Sequence, residues 1–414
     1  MQIKITNFGP ISEFNFDLNK DFIVLFGKNN IGKSYSLSVV YLVLKNLLDM
    51  EADSIIQREI SEDFNKLSEI NSENVSEIFY PIIEDLTDNI EESLLNTYGE
   101  FDKLINRFCD NPHPVINVNK EAGSLTLEVQ LSQFDKNGKL FIKEFSPILN
   151  QKIKDTSTFF LYDEYIGKAK QEFSLIFLPA SRTGLYQSLN SLSPIIVELS
   201  KNRRRTAKRF RLPEISEPVS DYFLGLSSIQ AKLSKQNNVI SNIVKDIERD
   251  VLKVEFDDVS KKIFYTPQKT DLKLDISLTS SMISELSPII CYLKYVIAFS
   301  SSRTVLFIEE PESYLHPEAQ VQLMNIFAKL VKAGVKIVMT SHSDYMFNKM
   351  NNLILENKID LNYAQAIIFK ETQTGTIAKE IPQDSLGIDD ENFVEITEQL
   401  FNEKIELIEK CNNV

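Results

Sequence analysis

The sequence predicts an α/β fold built on a phosphate-binding loop, and three observations predict it. The window Gly27 to Ser34, GKNNIGKS, fits the pattern G-x-x-x-x-G-K-[ST]. It lies between the apolar run Phe22 to Phe26 and the stretch Tyr35 to Leu42, so it reads as strand, loop, helix. Far downstream, Thr304 to Ile308 is a buried-strand run ending in Glu309-Glu310-Pro311, which brings two carboxylates out at the carboxyl end of a strand, where α/β sheets bind ligands. One helix later, Val335 to Thr340 repeats the pattern and ends in Ser341-His342-Ser343.

The first window's chemistry follows from its glycines, which let successive backbone N–H groups converge on phosphate oxygens at a helix N-terminus. The fold class this implies is a P-loop NTPase. Gly27, Asn29, Asn30, Ile31, Gly32, Lys33, Ser34 and Tyr35 are then the nucleotide-binding residues. Lys33 would then reach the β- and γ-phosphates, and Ser34 would hold Mg²⁺ through its hydroxyl.

Composition bounds the rest. The chain of 414 residues is 43% hydrophobic and 25% charged, ordinary for a soluble protein with two or three cores. Its cysteines, Cys109, Cys291 and Cys411, have no pairing or metal-ligand spacing, which suits a reducing cytoplasm and argues against a zinc site. Met1 to Lys4 lack a signal-peptide layout, and the longest apolar stretch, Leu286 to Phe299, reads as too short to span a bilayer, so no membrane is expected. A formal charge of −14 argues against blanket attraction to nucleic acid and leaves room for a local basic patch.

In order along the chain, Gln2 to Asn7 and Phe14 to Leu18 read as a hairpin of edge strands beside the phosphate loop, leading into the strand Asp21 to Phe26. From Asp49 to Arg107 the spacing is helical and acidic, an inserted lobe with a solvated face. Period-two runs at 115–118, 125–129 and 140–142, with Asn137-Gly138 as a turn, predict an antiparallel meander. Phe173 to Leu178 is another buried strand; Arg182 beyond it either faces the nucleotide or ties down the acidic edge. Leu189 to Asp250 is helical and carries a basic run from Lys201 to Arg211, either a solvated face or a contact for nucleic acid or an acidic partner. Leu252 to Tyr265 reads as a hairpin turning at Asp257-Asp258, and Leu272 to Leu278 as a strand. Ser280 and Ser281, with Glu285 behind them, carry a helix N-cap signal. His113 sits in turn chemistry.

Taken together, these motifs resemble the ABC-type ATPase heads of the SMC, RecF and OLD group, especially stand-alone AAA-type ATPases of bacterial anti-phage systems. The resemblance covers about residues 1–45 and 173–414. It implies an ABC/SMC-like head with helical and small antiparallel β insertions. In the family pattern Gly27 to Ser34 match Walker A, and Val305 to Glu310 match Walker B, with Glu309 as the acidic Mg²⁺ ligand and Glu310 as the adjacent catalytic carboxylate. Ser313 to His316 match the D-loop, with His316 as an interface or packing residue or a catalyst, and His342 matches the switch histidine, though it could instead cap the next helix. Ser280 and Ser281 occupy the place of the signature motif and depart from it by lacking glycine. Gln187 and Arg182 are candidates for the Q-loop.

The implied mechanism is phosphoryl transfer to water, with Lys33 and Mg²⁺ offsetting charge, Glu310 orienting or deprotonating water, and His342 sensing the γ-phosphate. The implied partner is a second copy of the chain around two ATP molecules. The C-terminal part, a hairpin from Ala366 to Ile381 and a helix from Asp390 to Lys410, is too short for a Toprim nuclease, so an effector such as a nuclease is expected on a separate protein. The expected organisation is an ATPase head at 1–48, 166–188 and 251–414, interrupted by a helical lobe and meander at 49–165 and a helical insertion at 189–250. A DNA-repair head and an ATP-gated scaffold with negligible turnover are the competing functions.

Overall fold

The computed structural model describes residues 1–49, 75–110, 112–120, 123–130, 138–147, 173–180, 182–185, 215–227, 238–259, 262–275, 279–300, 302–384, 387–388, 401–405 and 408. Gln187, the basic run Lys201 to Arg211, Asn137 and most of the closing helix lie outside the described residues.

Among the described residues the strands and helices follow the expected order. β1 (Gln2–Phe8), β2 (Ile11–Asp17) and β3 (Phe22–Phe26) lead into α1 (Lys33–Asp49), followed by α2 (Val75–Tyr98), β4 (Val115–Lys120), β5 (Gly123–Gln130), β6 (Lys139–Pro147) and β7 (Phe173–Leu178). Then come α3 (Glu217–Ser227), α4 (Asn238–Asp246), β8 (Val254–Val259), β9 (Lys262–Pro267), β10 (Leu274–Asp275) and α5 (Ser281–Tyr295). The chain continues through β11 (Arg303–Ile308), α6 (Pro317–Lys332), β12 (Lys336–Ser341), α7 (Asp344–Leu355), β13 (Ala364–Thr372) and β14 (Gly375–Glu380).

An 11-stranded sheet organises these elements, in the order β6-β5-β4-β1-β2-β14-β13-β3-β12-β11-β7. From β13 to β7 every pairing is parallel, and β3 sits between β13 and β12. Strands buried on both faces read as unbroken apolar runs, which is why β3, β11 and β12 stood out in the sequence. Alternation then sends their side chains to two cores. Phe22, Val24 and Phe26 pack with α5, α6 and α7 residues, whereas Ile23 and Leu25 pack with α1. On α2, Ile83, Leu86, Ile90 and Leu94 form a buried stripe at helical spacing, while Glu84, Asp85 and Asp88 face solvent.

Three expectations are corrected. The β1–β2 hairpin is interior: β4 covers β1, and the C-terminal hairpin β13–β14 inserts between β2 and β3. A local pattern reports burial but not which distant strand supplies the neighbour. The β8–β9 turn falls between Val259 and Lys262, because Asp257 and Asp258 pair with Phe264 and Ile263 inside the ladder. Finally, Met282–Phe299 is an 18-residue window apolar enough to cross a membrane by composition, so the apolar stretch is not too short. It is nevertheless 67% buried within the fold, packing α5 into the core under the sheet.

Candidate nucleotide-binding site

Parallel pairing places the ends of four strands at one edge. Ser341 pairs with Phe26, Ile308 with Met339 and with Leu178, so the loops after β3, β11, β12 and β7 emerge together. Gly27 to Gly32 form the loop after β3, and α1 begins at Lys33, with the first helical bond from Ser36 N to Gly32 O (2.9 Å). Gly27 adopts φ 143°, and a Cβ there would stand 2.6 Å from Ile31 Cδ1 and 3.0 Å from the Phe369 carbonyl, so only glycine fits. Gly32 rests against Pro10 and Ile11 of the β1–β2 turn. Asn29 and Asn30 are exposed on the loop, Ile31 turns its side chain inward, and the Tyr35 ring packs on Tyr98 (centroids 5.0 Å).

Lys33 is buried, and its ammonium donates to the carbonyls of Gly27 (2.9 Å) and Lys28 (2.6 Å). Burial pulls its pKa down to about 8, against the opposing pull of Glu310 and Glu312. His342 bridges the two motifs. Its Nε2 lies 2.7 Å from Glu310 Oε1, and a carboxylate can only accept, so the proton sits on Nε2. Its Nδ1 is 3.1 Å from Lys33 Nζ and 2.9 Å from Gly27 O. A neutral ring accepts there from Lys33; an imidazolium donates there to Gly27. The Glu310 bond raises the His342 pKa, and the same bond lowers that of Glu310.

Glu310 is held tightly. It adopts φ 41°, a left-handed conformation uncommon outside glycine, and its N–H donates to Thr340 Oγ1 (3.1 Å) while Ser313 Oγ donates to its Oε2 (3.2 Å). Glu309 points the other way. It accepts from Ala180 N (3.1 Å) and from the Ser34 hydroxyl, and burial raises its pKa. Ser34 and Glu309 thus form a hydroxyl–carboxylate oxygen pair at the loop's mouth, a donor set that suits a hard divalent cation such as Mg²⁺. Among the described residues no group of three or more His, Cys, Asp and Glu side chains could hold a metal by itself.

A family comparison matches residues 1–347 to the AAA ATPase domain. The chain belongs to the AAA ATPase domain family. No curated protein matches this ATPase-domain chain. Among solved structures it is similar to the SMC head domain from Thermotoga maritima, at 9% identity and TM-score 0.42, covering 92% of this chain and 98% of that one. It is also similar to an SmcHead bound to the C-winged helix domain of ScpA (11% identity, TM-score 0.47, covering 92% and 97%). A third similar structure is the Smc head domain with an extended coiled coil from Pyrococcus furiosus, bound to the C-terminal domain of ScpA (10%, 0.45, covering 97% and 98%).

Within this ATPase domain, the remaining expected site residues divide. Arg182 takes the second of its two alternatives. It is 0% exposed and donates to the carbonyls of Glu309 (2.7 Å), Pro179 (3.1 Å), Glu310 (3.4 Å) and Glu285 (3.5 Å), so it ties down the acidic edge and does not face a ligand. Ser280 occupies the N-cap position of α5 but makes no side-chain cap bond, and Glu285, two positions past the N3 place of a capping box, turns toward Arg182, 3.8 Å away. The cap signal therefore marks the helix start but not the capping bond. The Ser281 side chain lies outside the described residues. His316 caps α6, accepting at Nδ1 from Glu318 N (3.4 Å), and His113 Nδ1 lies 3.2 Å from Val129 O.

Two residues escaped the sequence reading. Thr340 accepts from Glu310 N, and Glu312 accepts at Oε1 from His342 N (2.7 Å) and Ser341 Oγ (2.8 Å). Glu312 had a signal, a third acid in Glu-Glu-Pro-Glu, but nothing local says that it reaches a strand about thirty residues away.

Proposed function

We propose that this ATPase-domain chain binds ATP with Mg²⁺ and hydrolyses it, and that its nucleotide-dependent dimerisation controls a separate effector in bacterial anti-phage defence. The observation that carries the hydrolytic part is the chain from Glu310 through His342 to Lys33, with contacts of 2.7 and 3.1 Å, across the ends of three strands, β11, β12 and β3, the last about three hundred residues from the other two in sequence. Lys33 meets the phosphates, breaking its contacts with the Gly27 and Lys28 carbonyls to do so. Ser34 and Glu309 hold the cation, which neutralises charge on the phosphates when bound. Glu310, kept ionised by His342, orients and deprotonates the attacking water. His342 couples that carboxylate to the phosphate loop and so reports whether a γ-phosphate is present.

The dimer rests on the resemblance and on exposure at the same edge. Ser280 is exposed at the start of α5, and Tyr314, in the Ser313 to His316 loop, is 68% exposed. A two-fold partner would bring these residues against the nucleotide, and the γ-phosphate would favour the closed dimer. The described helices carry no long heptad arm: the longest, α2, has 24 residues, which favours effector control over a DNA-repair head. The glycine-free start of α5 favours, as a second reading, a scaffold that binds ATP and scarcely turns it over.

Phosphate release by the purified chain decides between these readings. Measurable release that Glu310→Gln lowers by about 10²-fold or more, with ATP binding retained, is expected. An unchanged rate would move the base elsewhere, and no release from the wild type would leave the scaffold. Light scattering should show a dimer in ATP and Mg²⁺ that Glu310→Gln traps and Ser280→Arg breaks. One association state throughout would refute nucleotide-gated dimerisation.

A further inference from the structure

We propose that Glu312 is the positioning residue that aims His342, and through it Glu310; the inference deepens the ATPase reading above and rests on it. Two reciprocal bonds stitch the ends of β11 and β12 together. The loop after β11 donates from Glu310 N to Thr340 Oγ1 on β12 (3.1 Å), and the end of β12 donates from His342 N back to Glu312 Oε1 in that loop (2.7 Å). Ser341 Oγ adds a second bond to the same oxygen (2.8 Å) and itself accepts from Ser343 N (3.1 Å), so the turn from β12 into α7 folds around Glu312. Ser343 is in turn fixed, accepting from Met346 N (3.2 Å) as the N-cap of α7 and donating to Gln320 of α6. With the backbone on both sides of it pinned, His342 has only its ring to place. That ring spans Gly27 O (2.9 Å) and Glu310 Oε1 (2.7 Å).

Stability alone does not explain a glutamate here. Glu312 is 8% exposed, its Oε2 is buried without a hydrogen bond, and burial raises its pKa. A buried carboxylate satisfied on one oxygen only is costly, a cost the fold bears where this acceptor meets the His342 N–H and the Ser341 hydroxyl at the end of β12. The charge does reach the site. Glu312 acts on both Lys33 and Arg182, the two buried cations that border the phosphate loop and the acidic strand end. Its position, holding the backbone N–H of the residue whose ring meets both Glu310 and Lys33, is one where a displacement of about 1 Å can cost on the order of 10²-fold in rate.

The test uses the full chain and five variants: Glu312→Ala, Glu312→Asp, Glu312→Gln, His342→Ala and the double variant Glu312→Ala/His342→Ala. Glu312→Ala should lower kcat between about 10- and 100-fold with KM for ATP within about twofold, since His342 and Glu310 act at the γ-phosphate and the attacking water while Lys33 and the loop backbone still hold the nucleotide. Glu312→Gln should recover most of that loss, because its amide oxygen accepts the same two bonds. The double variant should be no slower than His342→Ala alone, the signature of one residue acting through the other. Glu312→Asp, which keeps the charge and withdraws the oxygen by one methylene, reads the same effect if the alanine variant does not fold. The proton on His342 Nε2, observed by NMR and assigned by its loss in His342→Ala, should keep its hydrogen-bonded shift in wild type and Glu312→Gln and lose it in Glu312→Ala and Glu312→Asp. That signal needs no turnover, so a wild type without phosphate release would overturn the ATPase reading while the NMR comparison still decided the positioning role. An imidazole signal unmoved in both Glu312→Ala and Glu312→Asp, or a double variant slower by the product of the single losses, would overturn it.

Discussion

Replacing Arg182 by alanine should destabilise this protein by about 3–5 kcal/mol, the cost of removing one partner of a buried ion pair. The magnitude comes from what the guanidinium touches. Its shortest bonds, to the Glu309 and Pro179 carbonyls at 2.7 and 3.1 Å, are each worth about 1.5–3 kcal/mol as charged-donor bonds. The longer contacts at 3.4 and 3.5 Å add little. Glu285 would be left 7% exposed without the cation 3.8 Å from it. These contributions overlap, so they do not sum. The pair's own desolvation, which lowers the Arg182 pKa, is already spent in the wild type and is only partly recovered. Arg182→Lys should recover less than half of the loss, since one ammonium cannot span carbonyls on three sides. Urea unfolding, with ATP turnover measured in parallel, is the assay: turnover should fall with stability, because the released carbonyls belong to Glu309 and Glu310. A stability for Arg182→Ala within about 0.5 kcal/mol of wild type would refute the reasoning, being the range of an uninvolved surface residue.

Gly27→Ala should lower ATP affinity at least about tenfold by forcing a side chain into φ 143° and against the Phe369 carbonyl; fluorescent-nucleotide titration reads it, and unchanged affinity would show that the loop tolerates a Cβ. Lys33→Ala should abolish nucleotide binding or hydrolysis, since Lys28, the other lysine of the loop, is exposed in its variable part; retained affinity and turnover would sink the phosphate-loop assignment. Neutralising Arg203, Arg204 and Arg205 together should weaken binding to a polyanionic or acidic partner, flatten its salt dependence and leave basal hydrolysis unchanged. An unaltered affinity and salt slope would leave the run as a solvated face.

The sequence by itself determined the parts whose physics is local. The phosphate loop was legible because glycine spacing, a following lysine and hydroxyl, and flanking strand and helix patterns are consecutive residues answering to one backbone geometry. The strands β3, β7, β11 and β12 were legible because burial on both faces demands unbroken apolar runs. Tertiary structure decided what those patterns leave open, namely which strand neighbours which and where a long polar side chain ends. The insertion of β13 and β14 beside β3 depends on pairing across more than three hundred residues, and hydrogen bonding between backbones carries no residue code. The roles of Arg182 and Glu312 depend on the same closure. An arginine at a strand end could face a ligand or turn inward, and only the packing of α5 and the carbonyls of Glu309 and Glu310 turned it inward. A third acid after Glu309 and Glu310 became the support of His342 only because parallel pairing laid β12 beside β11, within reach of one buried oxygen.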